Sequence, residues 1–163
     1  MNGTGQISPP RQWIENDLTL EIIKELRNLK ILIVEDNPAH LKILQYVLDR
    51  NKFNANYFYA RDGQESLNFL YKTDSFASEP PVPTPDLILL DLNLPKRDGR
   101  EVLQIIKEDN NLKNIPVVIV STSDREEDLN FAFSKGAVAY ISKSVGFETF
   151  KNQMAEITKY AKK

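Results

Sequence analysis

Side chains that could perform chemistry follow four apolar runs of the sequence. The runs end, in chain order, in two adjacent acids, a single acid, a hydroxyl and an amine: Glu35 and Asp36, Asp91, Ser121 and Lys143. In open α/β sheets, ligands bind at the carboxyl ends of the strands. If the runs are parallel strands of one sheet, residues about a hundred positions apart in the sequence share one pocket.

The chemistry that suits this set is phosphoryl transfer with a bound cation. Three clustered carboxylates raise one another's pKa unless a cation neutralises them, and Mg²⁺ prefers oxygen ligands. Asp91 could then attack as a carboxylate nucleophile to give an acyl phosphate. Lys143 would pair with the phosphoryl oxygens and Ser121 would donate a hydrogen bond to one of them. For Asp91 taken alone, the alternative that it only caps a loop is equally open.

The elements that position these residues alternate along the chain. Apolar runs predict strands over 31–34, 55–60, 87–90, 117–120 and 139–142. The run before Asp91 has four consecutive aliphatic residues, as expected for a strand covered on both faces. Between and after the runs, apolar residues recur at helical spacing, and Asn37-Pro38 is a typical helix start. The last predicted helix uses Phe147, Phe150, Met154 and Ile157. Five alternations predict an α/β fold with a doubly wound parallel sheet, right-handed crossovers and helices on both faces.

Two segments fall outside this alternation. Near the N-terminus, one helical stripe is formed by Leu18, Ile22, Leu26 and Leu29. This predicted helix could pack on its own domain or contact a second copy or a partner. The segment 72–85 contains four prolines, which predicts an extended surface loop.

Composition narrows the classes of protein. The 163 residues are most simply one domain, with 41% hydrophobic and 27% charged residues. The net charge of −2 gives no reason to expect nucleic acid or a membrane as a partner, and the lack of cysteine excludes thiolate sites. The sequence has no apolar run of membrane-spanning length and no signal-peptide core. We therefore expect a cytoplasmic protein.

The sequence resembles a response-regulator receiver domain (CheY-like). The resemblance rests on the stretches 31–38, 85–99, 115–123 and 139–143. It divides the chain into an N-terminal extension, 1–28, with the amphipathic helix, and a receiver domain, 29–163. It implies a flavodoxin-like sheet with the strand order 2-1-3-4-5. Because the resemblance runs to the last residue, we expect no effector domain to follow.

Within that family the chain is similar to the stand-alone regulators of cyanobacterial and bacterial phytochrome kinases. The sequence at 91–95 followed by 98–103, after a proline-rich insertion, is typical of them. The resemblance implies a sensor histidine kinase as partner, with a phytochrome as the candidate. The output would pass to a downstream protein, to a histidine phosphotransfer protein, or through a homodimer.

The resemblance also implies roles for individual residues. Asp91 would accept a phosphoryl group from a phosphohistidine of the kinase. Ser121 and Tyr140 would form a switch pair that acts on the face made by the fourth helix, fifth strand and fifth helix. Asn93 and Ser123 would tune hydrolysis of the acyl phosphate. The Mg²⁺ ligands would be Glu35, Asp36, Asp91 and the backbone carbonyl of Asn93.

One position departs from the family pattern. Receivers usually have proline after the lysine of the fifth strand, with a cis bond between them, but Ser144 follows Lys143 here. A cis bond before a residue other than proline costs about 2.5–4 kcal/mol. We therefore expect either a trans bond that shifts Lys143 slightly or a strained cis bond.

Two other classes of protein compete with this interpretation. A phosphatase that forms an aspartyl phosphate needs a second aspartate two residues after the nucleophile, and that position is Asn93. An amide cannot deliver the proton, so we expect slow self-hydrolysis and no enzymatic turnover. A pseudo-receiver adaptor typically lacks an acid or the lysine, which this sequence retains. His40, the only histidine, is interpreted as a solvated helix residue, although a phosphate or metal role is open.

Overall fold

The computed structural model describes residue 22 and residues 26–162 of the chain. Five strands and five helices alternate along it, with short 3₁₀ helices at Asp74–Phe76 and Ile157–Tyr160. The strands are β1 (Leu29–Val34), β2 (Ala55–Ala60), β3 (Leu87–Leu90), β4 (Val117–Ser121) and β5 (Ala139–Ser142). The helices are α1 (Pro38–Asn51), α2 (Gly63–Tyr71), α3 (Gly99–Glu108), α4 (Glu126–Ser134) and α5 (Phe147–Met154).

The five strands form one parallel sheet in the order β2-β1-β3-β4-β5, which confirms the predicted fold. The register determines which residues meet at the carboxyl edge. Val34 lies opposite Leu90, so the residues that follow them, Glu35 and Asp91, leave the sheet side by side. Ser121, at the end of β4, lies opposite Ser142.

The core lies on both faces of the sheet. All four residues of β3 are at most 1% exposed, and they alternate between two apolar clusters. One cluster packs α2, α3 and α4 against the sheet, and the other packs α1 and α5. Burying a leucine or isoleucine side chain contributes about 1.5–3 kcal/mol, so this strand contributes strongly to the stability of the sheet.

Local sequence explains how the helices begin. Asn37 caps α1, and its side chain accepts hydrogen bonds from the backbone N–H of Ala39 (2.9 Å) and His40 (3.2 Å), while Pro38 fills the first helical position. Asp62 caps α2 by accepting a hydrogen bond from Glu65 N (2.7 Å). Such caps contribute about 1 kcal/mol each.

The structure differs from the predictions at three places. Leu29 begins β1 instead of ending a helix, and Ile22 and Leu26 are exposed. The rest of the predicted N-terminal helix, including Leu18, lies outside the described residues. The segment 72–85 is more than a surface loop, because Phe76 and Val82 pack against the core.

The last difference is at the C-terminal end, where α5 ends at Met154 and Ile157 opens a 3₁₀ helix. A tighter last turn of this kind satisfies helix-end carbonyls. No helix among residues 26–162 has the length and apolar character needed to cross a membrane.

Candidate functional site

A lysine and two buried acids form the centre of the carboxyl edge. Glu35 and Asp91 are 3% and 4% exposed, and Lys143 Nζ donates hydrogen bonds to both carboxylates, to Asp91 Oδ2 at 2.8 Å. The backbone N–H of Lys143 is bound to the carbonyl oxygen of Ser121 (2.8 Å), which holds its stem at the end of the sheet. The predicted meeting of residues from three strand ends is therefore present in the structure.

The charges of this cluster do not balance. Burial raises the pKa of Glu35, and hydrogen bonding to Lys143 and to the backbone N–H of Asn37 opposes that rise only in part. One ammonium faces two carboxylates, so the site attracts a further cation when both acids are ionised. An oxygen-rich donor set with excess negative charge suits a divalent ion.

The metal ligands predicted from sequence are not all in this cluster. Among the described residues, one group of three has ligand atoms that all lie within 4.8 Å of one another: Glu35, His40 and Asp91. Asp36 is exposed and is not part of the group. Successive residues after a strand point in different directions, which is why only the first of the two acids is buried. The ligand role of Asp36 stays a prediction.

His40 lies beside the site. Its Nδ1 is 3.3 Å from Lys143 Nζ and 3.6 Å from Glu35 Oε1, and its side chain is 32% exposed. The interpretation of His40 as a solvated residue understated these contacts. In the sequence, the one sign that His40 lies at the site was its position near the end of β1. Its contact with Lys143 joins residues 103 positions apart, so no local pattern reveals that contact.

The loop after Asp91 is held in a fixed shape. Asp91 Oδ1 accepts a hydrogen bond from Asn93 N (3.0 Å), and Gly99 N donates to Leu92 O (2.9 Å). A Cβ at Gly99 would lie 2.1 Å from the carbonyl oxygen of Asp91, so only glycine fits there. These contacts place Asn93, whose carbonyl is a predicted metal ligand, next to the acid.

The predicted switch pair is linked through a third residue. Ser121 is fully buried, and its Oγ accepts a hydrogen bond from Ser123 N (3.3 Å). Tyr140 is partly buried against the cluster on the α4 side, and its hydroxyl donates to the carbonyl oxygen of Ser123 (2.8 Å). Ser123 therefore lies between the two residues named as the switch.

A second ion pair at this edge was missed by the sequence reasoning. Arg100, in α3, donates two hydrogen bonds of 2.8 Å to the carboxylate of Asp128, in α4. Ser123 Oγ donates to the same carboxylate at 2.5 Å. Chiefly because of the Arg100 hydrogen bond, the pKa of Asp128 is lowered to about 2. No local motif marks this pair, since the two residues are 28 positions apart.

The departure at Ser144 leaves Lys143 in place. Within residues 26–162, the single cis peptide bond is Glu79-Pro80, so the bond before Ser144 is trans. Lys143 nevertheless reaches both Glu35 and Asp91. Ser144 Oγ donates to the carbonyl oxygen of Thr122 (2.8 Å), which fastens the turn after β5.

Comparison with known proteins agrees with this geometry. A family profile described as "Response regulator receiver domain" matches residues 31–155. The response regulator Rcp1 of Synechocystis sp. is 41% identical over 114 residues, covering 70% of this chain and 76% of the relative. The probable methanogenesis regulatory protein FilR2 of Methanothrix harundinacea is 38% identical over 130 residues, covering 80% of this chain and 81% of the relative.

Solved structures give the same result. The phosphorylated cyanobacterial phytochrome response regulator RcpA has a TM-score of 0.74 and 38% identity, over 83% of this chain and 94% of that one. The Mn²⁺-bound form of Rcp1 has a TM-score of 0.72 and 37% identity, over 81% and 93% of the two chains.

Proposed function

The chain belongs to the response regulator receiver domain family, and from that membership we propose that Asp91 accepts a phosphoryl group from a sensor histidine kinase in the presence of Mg²⁺. One observation carries the proposal: a partly buried lysine joins Asp91 to a second buried acid, and the three residues come from three different strand ends. Burying this much charge is costly, and its retention favours a functional role.

The chemistry requires a nucleophile, a counter-charge and a positioned acceptor oxygen. A carboxylate oxygen of Asp91 attacks the phosphorus of the phosphohistidine, the O–P bond forms as the N–P bond breaks, and the leaving imidazole takes up a proton. Lys143 offsets the added negative charge, because its ammonium already lies 2.8 Å from Asp91 Oδ2. Mg²⁺, when bound, supplies further charge neutralisation; its proposed ligands are Glu35, Asp36, Asp91 and the carbonyl of Asn93.

The output follows from a local rearrangement. In this proposal the Ser121 hydroxyl turns toward the phosphoryl group and Tyr140 moves inward, leaving its hydrogen bond to Ser123. The change alters the face formed by α4, β5 and α5. Ser123 and Asn93, which border the site, set how fast water removes the phosphoryl group. The protein is thus a phosphoacceptor with slow self-dephosphorylation and without enzymatic turnover.

The partners are proposed from the relatives. The similar structure of RcpA is named as a cyanobacterial phytochrome response regulator, which supports a phytochrome-type histidine kinase as donor. The receiver region, 29–163, would act in the cytoplasm and pass the signal to a downstream protein or a histidine phosphotransfer protein. The 1–28 extension would support a homodimer.

The test is the intact mass of the chain after incubation with acetyl phosphate and Mg²⁺. We expect the gain of one phosphoryl group in the parent and none in Asp91→Asn or when Mg²⁺ is chelated. Asp124→Asn is a matched control, since it makes the same change at an exposed acid in the loop after β4. If neither acetyl phosphate nor beryllofluoride binds, the chain is an adaptor and the proposal is wrong.

A further inference from the structure

Lys143 Nζ occupies a position where three acceptors converge. It donates to the carboxylates of Glu35 and Asp91 and faces His40 Nδ1 at 3.3 Å. An ammonium group only donates hydrogen bonds, so this contact requires Nδ1 to accept. The lone pair of His40 Nδ1 is therefore directed toward the ammonium that both carboxylates also bind, so the three groups already face one positive charge.

The three groups are also close enough to bind one ion. First-row divalent ions bind imidazole nitrogen and carboxylate oxygen at about 2.0–2.2 Å, so two ligand atoms of one ion are at most about 4.4 Å apart. His40 Nδ1 and Glu35 Oε1 are 3.6 Å apart, which is within this limit. The whole set lies within 4.8 Å, so a shift of a few tenths of an ångström brings all three groups to the spacing of one ion. The backbone of His40 is fixed by the cap of α1, through its hydrogen bond to Asn37 Oδ1.

We propose that His40 is a nitrogen ligand of the divalent cation at this site and makes the site prefer a first-row transition ion such as Mn²⁺ over Mg²⁺. Imidazole nitrogen is a ligand of first-row transition ions, among which Mn²⁺ binds most weakly, whereas Mg²⁺ is bound by oxygen ligands and water. The carboxylates alone would support either ion. The inference rests on the proposed function, because it concerns the same cation site, and it adds a residue and a selectivity to it.

The first test is spectroscopic and uses the chain without a histidine tag. Because His40 is the only histidine, imidazole ¹⁴N coupling to bound Mn²⁺ in pulsed electron paramagnetic resonance can come only from this residue. We expect the coupling in the parent chain and its loss in His40→Gln. Bound Mn²⁺ that shows no imidazole coupling in the parent overturns the inference.

The second test measures affinity by calorimetric titration of Mn²⁺ and of Mg²⁺. In His40→Gln we expect the preference for Mn²⁺ over Mg²⁺ to fall by about tenfold or more, because metal sites commonly lose that much affinity when one supporting residue is removed. Lys42→Gln is the matched control, since Lys42 is an exposed residue of the same helix. An unchanged preference in His40→Gln overturns the inference.

The same titrations separate the two proposals. If the parent takes up a phosphoryl group with Mg²⁺ and His40→Gln keeps the same metal preference, the proposed function stands and the role of His40 is wrong. If the parent binds neither ion and takes up no phosphoryl group, the proposed function fails and the His40 inference fails with it. Far-ultraviolet circular dichroism of each variant verifies that the fold is intact.

Discussion

Two aspartates flank the same strand and have opposite roles. Asp86 precedes β3 at the amino edge of the sheet, and Asp91 follows β3 at the carboxyl edge. Both are bound to a cationic side chain, and both adjoin a strand that is completely buried. The difference between them lies in what else surrounds each carboxylate.

Asp86 is satisfied by fixed partners. Its Oδ2 accepts a hydrogen bond from Lys30 N (2.9 Å), and its Oδ1 accepts one from the Arg27 guanidinium (2.5 Å). The same guanidinium donates to the carbonyl oxygen of Lys162, and Lys162 N donates to Asp86 O (2.8 Å). One acid and one base balance here, so this cluster joins the two ends of the receiver region without attracting a ligand.

Asp91 instead shares its lysine with Glu35, and the acids outnumber the base. In the proposed function, this uncompensated charge is what makes the strand end at Asp91 a binding site. Position in the sheet contributes as well, because ligands of open α/β sheets bind at the carboxyl ends of the strands. Five changes test this difference and the contacts around it.

The largest effect on stability is expected from Asp86→Ala. The change leaves Lys30 N–H and the Arg27 guanidinium without their acceptor, and hydrogen bonds to charged groups contribute about 1.5–3 kcal/mol, so we expect a loss of about 3 kcal/mol. Urea denaturation measures it. Phosphoryl uptake by the folded chain should be unchanged, since the cluster lies at the opposite edge.

Asp91→Asn is the counterpart at the other edge. It should abolish phosphoryl uptake but cost less stability than Asp86→Ala, because Lys143 keeps Glu35 as a partner and the two carboxylates no longer repel each other. Equal losses of stability in the two variants would contradict the proposed contrast.

Sequence patterns predicted most of the strands and helices, but only some of the contacts between residues far apart in the sequence. The strand bounds of β2 and β5 and the cap at Asn37 were confirmed, because short-range residue preferences determine them. The end of α5 was misplaced, because Ile157 continues the apolar spacing while the backbone tightens into a 3₁₀ turn. The Asp86 cluster was missed, since its partner Arg27 is 59 positions away.

The candidate site was predicted from the topology alone. Once the strands are parallel, the register brings Glu35 beside Asp91, and Lys143 reaches both. The sequence could not show which of the two adjacent acids is buried. It also could not show that His40 faces Lys143, because that depends on how α1 packs on the sheet.

The next largest effect on stability is expected at Gly63, which packs directly against the loop after Asp91. A Cβ there would lie 2.0 Å from the carbonyl oxygen of Arg97. Alanine gains about 1 kcal/mol of helix propensity over glycine, but this overlap with backbone outweighs it, and we expect Gly63→Ala to lose about 2 kcal/mol. Urea denaturation measures the loss. A stability equal to the parent would show that the loop moves freely and does not fix Asn93.

Acid should break the second ion pair at the carboxyl edge. The pKa of Asp128 is lowered to about 2 in the folded chain, below its ordinary value of 3.8. Its contribution is therefore complete above the ordinary value and is lost as the pH falls toward 2, a loss of about 2 kcal/mol. Thermal unfolding of the parent and Asp128→Asn from pH 6 to pH 2 measures it. The variant should be less stable at pH 6, and the difference should shrink at pH 2; a constant difference would contradict the assignment.

The smallest expected effect is the most direct test of charge balance. Lys143→Met removes the one ammonium that, within residues 26–162, is bound to Glu35 and Asp91, while keeping most of the length of the side chain. We expect the site to bind Mn²⁺ or Mg²⁺ about tenfold more tightly, since one neighbouring charge shifts a carboxylate's proton affinity by about one to three pKa units. Calorimetric titration measures the affinity, with Lys42→Met as the control for net charge.

Phosphoryl uptake should slow in the same variant, because the ammonium that competes with the metal is also the one that offsets the charge of the phosphoryl group. If the metal affinity is unchanged, the ammonium of Lys143 does not compete with the metal for the two carboxylates. The contrast between Asp91 and Asp86 would then depend on their positions in the sheet and not on charge.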